Sequence, residues 1–122
     1  MTVRSIVRIV PVVLFLCAWS AQSWAHPKCK HTYPAPEAVL DKAPPHIDLH
    51  CTSALEVAFS KVQVNDASGQ QVDKGGLQGD PKDPKRMVLP LPPLQPGVYK
   101  VLWNAVGRDG HKTKGDFSFT IR

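Results

Sequence analysis

The sequence has little of what would mark a common type of enzyme. It has no GxSxG elbow, no Walker loop, no HExxH and no CxxC, so elbow-type serine hydrolysis, P-loop phosphoryl transfer and helix-borne zinc chemistry have no signature here. Long apolar runs are also missing. The best, Ile9 to Ala18, is ten residues interrupted by Pro11, where a bilayer span needs about 20. Strong charge of either sign is absent too. The formal net charge is +5, too mild to argue for nucleic-acid binding. At 122 residues there is room for one domain. Helix-friendly composition is lacking as well: twelve prolines, recurring from Pro34 onward, exclude a helical bundle because an interior proline costs a helix about 3 kcal/mol.

What is present divides at residue 25. Arg4 and Arg8 precede the short apolar run, and Ser23-Trp24-Ala25 puts small residues at the two positions a signal peptidase reads, so residues 1–25 are expected to be a secretory signal peptide. Leu16 is bulky where a lipoprotein site prefers a small residue, which argues against lipidation of Cys17. Cleavage would leave residues 26–122 with a new terminal His26. It would also remove two of the 15 basic residues and none of the ten acidic ones, so the charge falls to +3. Cys29 and Cys51 would remain, and an even pair in an oxidising compartment reads as a disulfide. Buried thiols, or soft ligands for Cu(I) or zinc, are the competing readings.

Beyond residue 25 the dominant signal is period-two alternation. Ile47, Leu49 and Cys51 share one face and His46, Asp48 and His50 the other. Leu55, Val57 and Phe59 extend the pattern, and Val62 and Val64 resume it after a phase shift. Asp66 to Gly69 reads as a turn and 75–85 as a surface loop. Met87, Leu89 and Leu91 alternate among prolines that suit a sheet edge or a strand end. Tyr99, Val101, Trp103 and Ala105 line one face of a long strand, and Phe117, Phe119 and Ile121 make the last. Six or seven short strands joined by Pro and Gly turns predict an all-β, two-sheet antiparallel sandwich of immunoglobulin-like or cupredoxin-like form, with Tyr99, Trp103, Phe117 and Phe119 in the core.

The chemistry left is that of histidine. A terminal His26 can chelate a metal through its amine and ring nitrogen together, and Pro27 has no N–H to join them. Asp109 and His111 are two apart, so on extended chain a carboxylate and an imidazole face the same way. A hairpin turn on Asp109-Gly110 accounts for the same residues. His46 and His50 flank Asp48 on one strand face, which raises a second metal site against the commoner outcome of a solvated face. His31 has no evident role.

The stretch from Pro96 through Gly-Val-Tyr-Lys-Val-Leu-Trp to Asp109-Gly110-His111, followed by Gly115 and the Phe117-Ser-Phe119 strand, resembles the CopC family of periplasmic copper-resistance proteins. His26, Tyr33-Pro34-Ala35 and the approach through Pro45 extend the resemblance over the whole chain after the leader. It implies a small Greek-key β-sandwich that holds one Cu(II) through His26 (amine and ring), Asp109 and His111. It also implies a periplasmic, monomeric, non-enzymatic carrier that buffers copper or delivers it to an inner-membrane transporter of the CopD type. Two imidazoles, an amine and a carboxylate form the nitrogen-rich tetragonal set that Cu(II) favours. The sequence departs from the family at Lys112, where Pro is frequent, and at Cys51-Thr52-Ser53 in place of Phe-Ser-Glu; the cysteine pair is not a general family feature. With Met87 the one methionine after residue 25, a Met-based Cu(I) site is not expected. The functional alternatives are a histidine-brace copper monooxygenase, which an in-plane Asp109 would oppose by disfavouring Cu(I), and a metal-free immunoglobulin-like interaction module.

Overall fold

The computed structural model describes residues 28–122; the expected leader and His26 lie outside them. Eight strands form two four-stranded sheets. One sheet has the order β1-β3-β6-β5, from Cys29–Tyr33, His46–Cys51, Asp83–Pro90 and Gln78–Asp80. The other has the order β2-β8-β7-β4, from Ala38–Leu40, Lys112–Ile121, Gly97–Val106 and Lys61–Asn65. The chain crosses between sheets four times before β5 pairs with β6 and β7 with β8, so each sheet is assembled from segments distant in sequence.

Alternation sets the core as expected. Ile47, Leu49, Val64, Met87, Leu89, Val101 and Ala105 are wholly buried, with Tyr99, Phe117, Phe119 and Ile121 nearly so. Burying a side chain of the Val, Leu, Ile, Phe or Met class contributes about 1.5–3 kcal/mol, and this inner layer is what holds the two sheets face to face. Tyr99 and Phe119 stack across β7 and β8 with centroids 5.4 Å apart, and the Tyr99 hydroxyl donates to the Gln95 carbonyl at 2.6 Å. Trp103 is half-buried at the end of the layer, its indole lying against Gly115.

Four features differ from the sequence expectation. The short β2 pairs with β8 in parallel, Ala38 opposite Phe119, so the second sheet is mixed. Val57 to Phe59 form a 3₁₀ turn and Phe59 is exposed, whereas alternation placed it on the core face. The cause lies just before it. Leu55 donates to the Pro84 carbonyl and Glu56 to that of Val106, which ties residues 55–56 to β6 and β7 and leaves the next three to turn back toward β4. The 75–85 stretch is not all loop: β5 pairs with β6 across a tight turn in which Asp80 accepts the Lys82 N–H at 2.8 Å. Finally, β6 runs in the sheet interior between β3 and β5 and not at an edge, while Pro90 is its last residue, as the strand-end alternative for these prolines required.

Cys29 and Cys51 form a disulfide, as expected from the compartment argument. They are direct partners in the β1–β3 ladder, so the bridge fastens the start of the first strand to the end of the third.

Candidate metal centre

Strands β7 and β8 are paired continuously from Gly97–Ile121 to Val106–Lys112, leaving residues 107–111 as a five-residue turn at one end of the sandwich. Gly107 donates to the His111 carbonyl and Gly110 to that of Gly107, each at 2.9 Å. Gly110 has φ +85°, a conformation that L side chains rarely adopt, which accounts for glycine at this point. The Asp109 carboxylate folds back over the turn. Oδ1 accepts the His111 backbone N–H at 3.0 Å and Oδ2 lies 2.8 Å from His111 Nδ1. Asp109 and His111 thus face the same way, but for a different reason from the one expected: a side-chain-capped turn brings them together, not strand alternation. The hairpin reading of Asp-Gly-His holds, and the same turn sets the carboxylate and the imidazole side by side. The His111 ring and then its backbone N–H hold the Asp109 carboxyl below the usual carboxylate range, so it is anionic at neutral pH.

The turn is stitched to the chain's first described residues. Thr52 donates to the Lys28 carbonyl at 2.8 Å, and Thr52 Oγ1 accepts the Lys28 N–H. Two residues on, the Ala54 carbonyl accepts the Arg108 N–H at 3.0 Å and Leu55 bridges to Gly107. Residues 52–55 therefore carry Lys28 at one end and the 107–111 turn at the other. Between them the Ser53 hydroxyl is buried with no hydrogen-bond partner among the described residues. Asp109 and His111 are both partly exposed, and a carboxylate and an imidazole are the donor types that suit Cu(II) or Zn(II). No group of three or more His, Cys, Asp or Glu side chains poised to hold a metal occurs among the described residues. A complete site on this turn thus needs a donor from elsewhere. Lys112 and Lys114, next along β8, are exposed.

The outer face of the first sheet is organised differently from the solvated strand face that its sequence suggests. Asp48 is largely buried. His46 Nε2 lies 2.8 Å from its Oδ2, and Arg86 Nη2 stands 2.5 Å from Oδ1 as an ion pair without a well-aligned hydrogen bond. Arg86 reaches on to Asp80 at 3.0 Å, and the His46 ring packs at a tilt against Tyr33. Arg86, Asp80 and Tyr33 carried no sequence signal for this role, because only the β3–β6 and β1–β3 pairings bring them to His46 and Asp48. His31 and His50, which share no motif, are direct partners across β1 and β3.

Comparison with known proteins agrees with this architecture. The model of the CopC domain matches residues 29–122. The copper resistance protein C of Pseudomonas syringae pv. tomato is 36% identical over 110 residues, covering 84% of this chain and 86% of that one. Protein YobA of Escherichia coli K12 is 32% identical over 122 residues, covering 99% of this chain and 98% of its own. Among solved structures, CopC from Methylosinus trichosporium OB3b superimposes with a TM-score of 0.75 at 26% identity, over 79% of this chain and 93% of that one. The methionine-rich copper resistance protein PcoC of Escherichia coli gives 0.71 at 32%, over 80% of this chain and all of the other. With the domain model covering the described sandwich almost end to end, the chain belongs to the CopC family.

Proposed function

We propose that this protein is a periplasmic Cu(II) carrier, not an enzyme, that buffers one copper ion per chain or passes it to an inner-membrane copper transporter. Its leader is removed after Ala25, and the ion is held by the amine and ring of His26 together with Asp109 and His111. The observation that carries the reading is the double stitch through residues 52–55, which binds Lys28 on one side and the Asp109–His111 turn on the other. Two residues of chain reach at most about 7 Å, so a chain beginning two residues before Lys28 could bring its terminal donors toward that turn.

The donor chemistry supports the same reading. An anionic Asp109 favours the higher oxidation state and completes a nitrogen-rich set with two imidazoles and an amine. The ligands lie more than 80 residues apart in sequence, so metal affinity and folding are coupled. The disulfide supports a site outside the reducing cytosol. Copper resistance proteins among the relatives supply the copper-related context.

The test is at the terminus. Mass spectrometry of the secreted protein should show a chain beginning at His26. Adding one Ala before His26 removes the amine–ring chelate and should weaken Cu(II) binding roughly 10²-fold or more, as expected when an intramolecular second contact is lost. The fold, read by circular dichroism, should be unchanged. Unaltered affinity in the extended protein would rule out the terminal chelate.

A further inference from the structure

We propose that His31 and His50 form a second binding site for a borderline divalent cation, Cu(II) above the others, on the outer face of the first sheet. The site does not involve His26, Asp109 or His111 and stands whether or not the copper-carrier reading holds.

The argument starts from register. His31 on β1 is paired with His50 on β3, and the next pair is Thr32 with Leu49. Leu49 is wholly buried in the core, so the His31–His50 pair points outward, and both histidines are exposed. Side chains directly opposite in an antiparallel ladder have Cβ atoms about 4.5–5.5 Å apart. Two imidazoles mounted at that spacing can close on one ion from adjacent strands. Neither ring has a hydrogen bond or ion pair with another described residue, whereas His46 is engaged by Asp48 and Tyr33. Of the pairings possible on this face, His46 with His50 is therefore the weaker one and His31 with His50 the stronger.

The surroundings are close to neutral. Arg86 is the β6 partner of His50, which would oppose a metal if its charge were free. Its guanidinium is instead held between Asp48 and Asp80. That trio has a formal charge of −1 at neutral pH. Lys30 is the exposed cation on β1 and flanks the site on one side. The strand pair is also clamped at its end, one bulge residue away from His31. Cys51 follows His50 directly, and its disulfide to Cys29 fixes the ladder beside the histidine pair. Pre-organised donors lose less conformational entropy when the ion binds. Imidazole suits copper, nickel and zinc, and affinity for a given nitrogen site peaks at Cu(II). His50 lies two residues before Thr52, about 7 Å along the strand from the point where Lys28 is fastened, so the second site would sit close beside the proposed terminal one.

The test is titration of the purified, disulfide-bonded protein with Cu(II) against a glycine competitor, with the histidine ring resonances followed by NMR. Wild type should bind a tighter and a weaker equivalent, the weaker one broadening the His31 and His50 rings together. His31→Ala and His50→Ala, or the Gln variants at the same positions, should each weaken that equivalent at least about tenfold and leave the tighter one unchanged. His111→Ala should weaken only the tighter equivalent, and His46→Ala should spare both. If wild type shows no weaker equivalent, or that equivalent survives both His31→Ala and His50→Ala, or falls equally with His46→Ala, the site is refuted. Loss of the tighter equivalent alone would count against the carrier reading and leave this one intact.

Discussion

Gly115 sets up a contest of sign that one substitution can decide. In a strand interior a glycine is worth roughly 0.5–1 kcal/mol less than alanine, so on propensity alone Gly115→Ala should stabilise. The fold opposes this. Gly115 is the ladder partner of Trp103, and a Cβ built on it would stand 2.5, 2.8 and 3.0 Å from three atoms of the indole. Such contacts are too short to survive without movement. The obstacle is a ring packed against the core rather than the tip of a flexible chain. Overpacking of this kind costs typically 1–3 kcal/mol, so the packing penalty outweighs the propensity gain and the variant should be less stable by up to about 2.5 kcal/mol. At roughly 4–8 °C per kcal/mol for a domain of this size, Tm should fall by several degrees. Tryptophan emission should shift as the indole is displaced toward solvent. A double-mutant cycle isolates the cause: in a Trp103→Ala background the same substitution should be neutral or stabilising, since only the propensity difference remains. If Gly115→Ala matches wild type in Tm and emission, or costs as much without the indole as with it, the packing argument fails.

Two further outcomes follow from the first sheet. The Cys29–Cys51 bridge closes a 22-residue separation, for which chain entropy alone gives about 3 kcal/mol. Reduction should therefore lower Tm substantially and weaken Cu(II) binding, and an unchanged melt in reductant would show that the bridge adds nothing. Asp80 is held below the usual carboxylate range by the Lys82 backbone N–H and then by Arg86. A depressed folded pKa contributes stability that is complete above the unfolded value and is lost as pH falls below about 4. Asp80→Asn should flatten the acid limb of stability between pH 6 and 2, and an acid limb identical to wild type would refute the assignment.

The sequence alone determined the layer structure and half of the proposed centre. Strand alternation is a local property: Ile47 and Leu49, or Phe117 and Phe119, point inward because residues two apart on a strand share a face. Asp109 and His111 were legible because the turn that joins them is only five residues long. The cysteine pair was legible from compartment and even number alone. Tertiary structure decided everything that depends on which strands become neighbours and in what register. Nothing near Asp48 announces that Arg86 will neutralise it, nor does anything near His50 point to His31. The parallel seating of β2 on β8 and the 3₁₀ turn at Val57–Phe59 belong with these. Periodicity records which face a side chain takes, but the partner opposite it is chosen by pairing between distant segments when the two sheets close on a shared core.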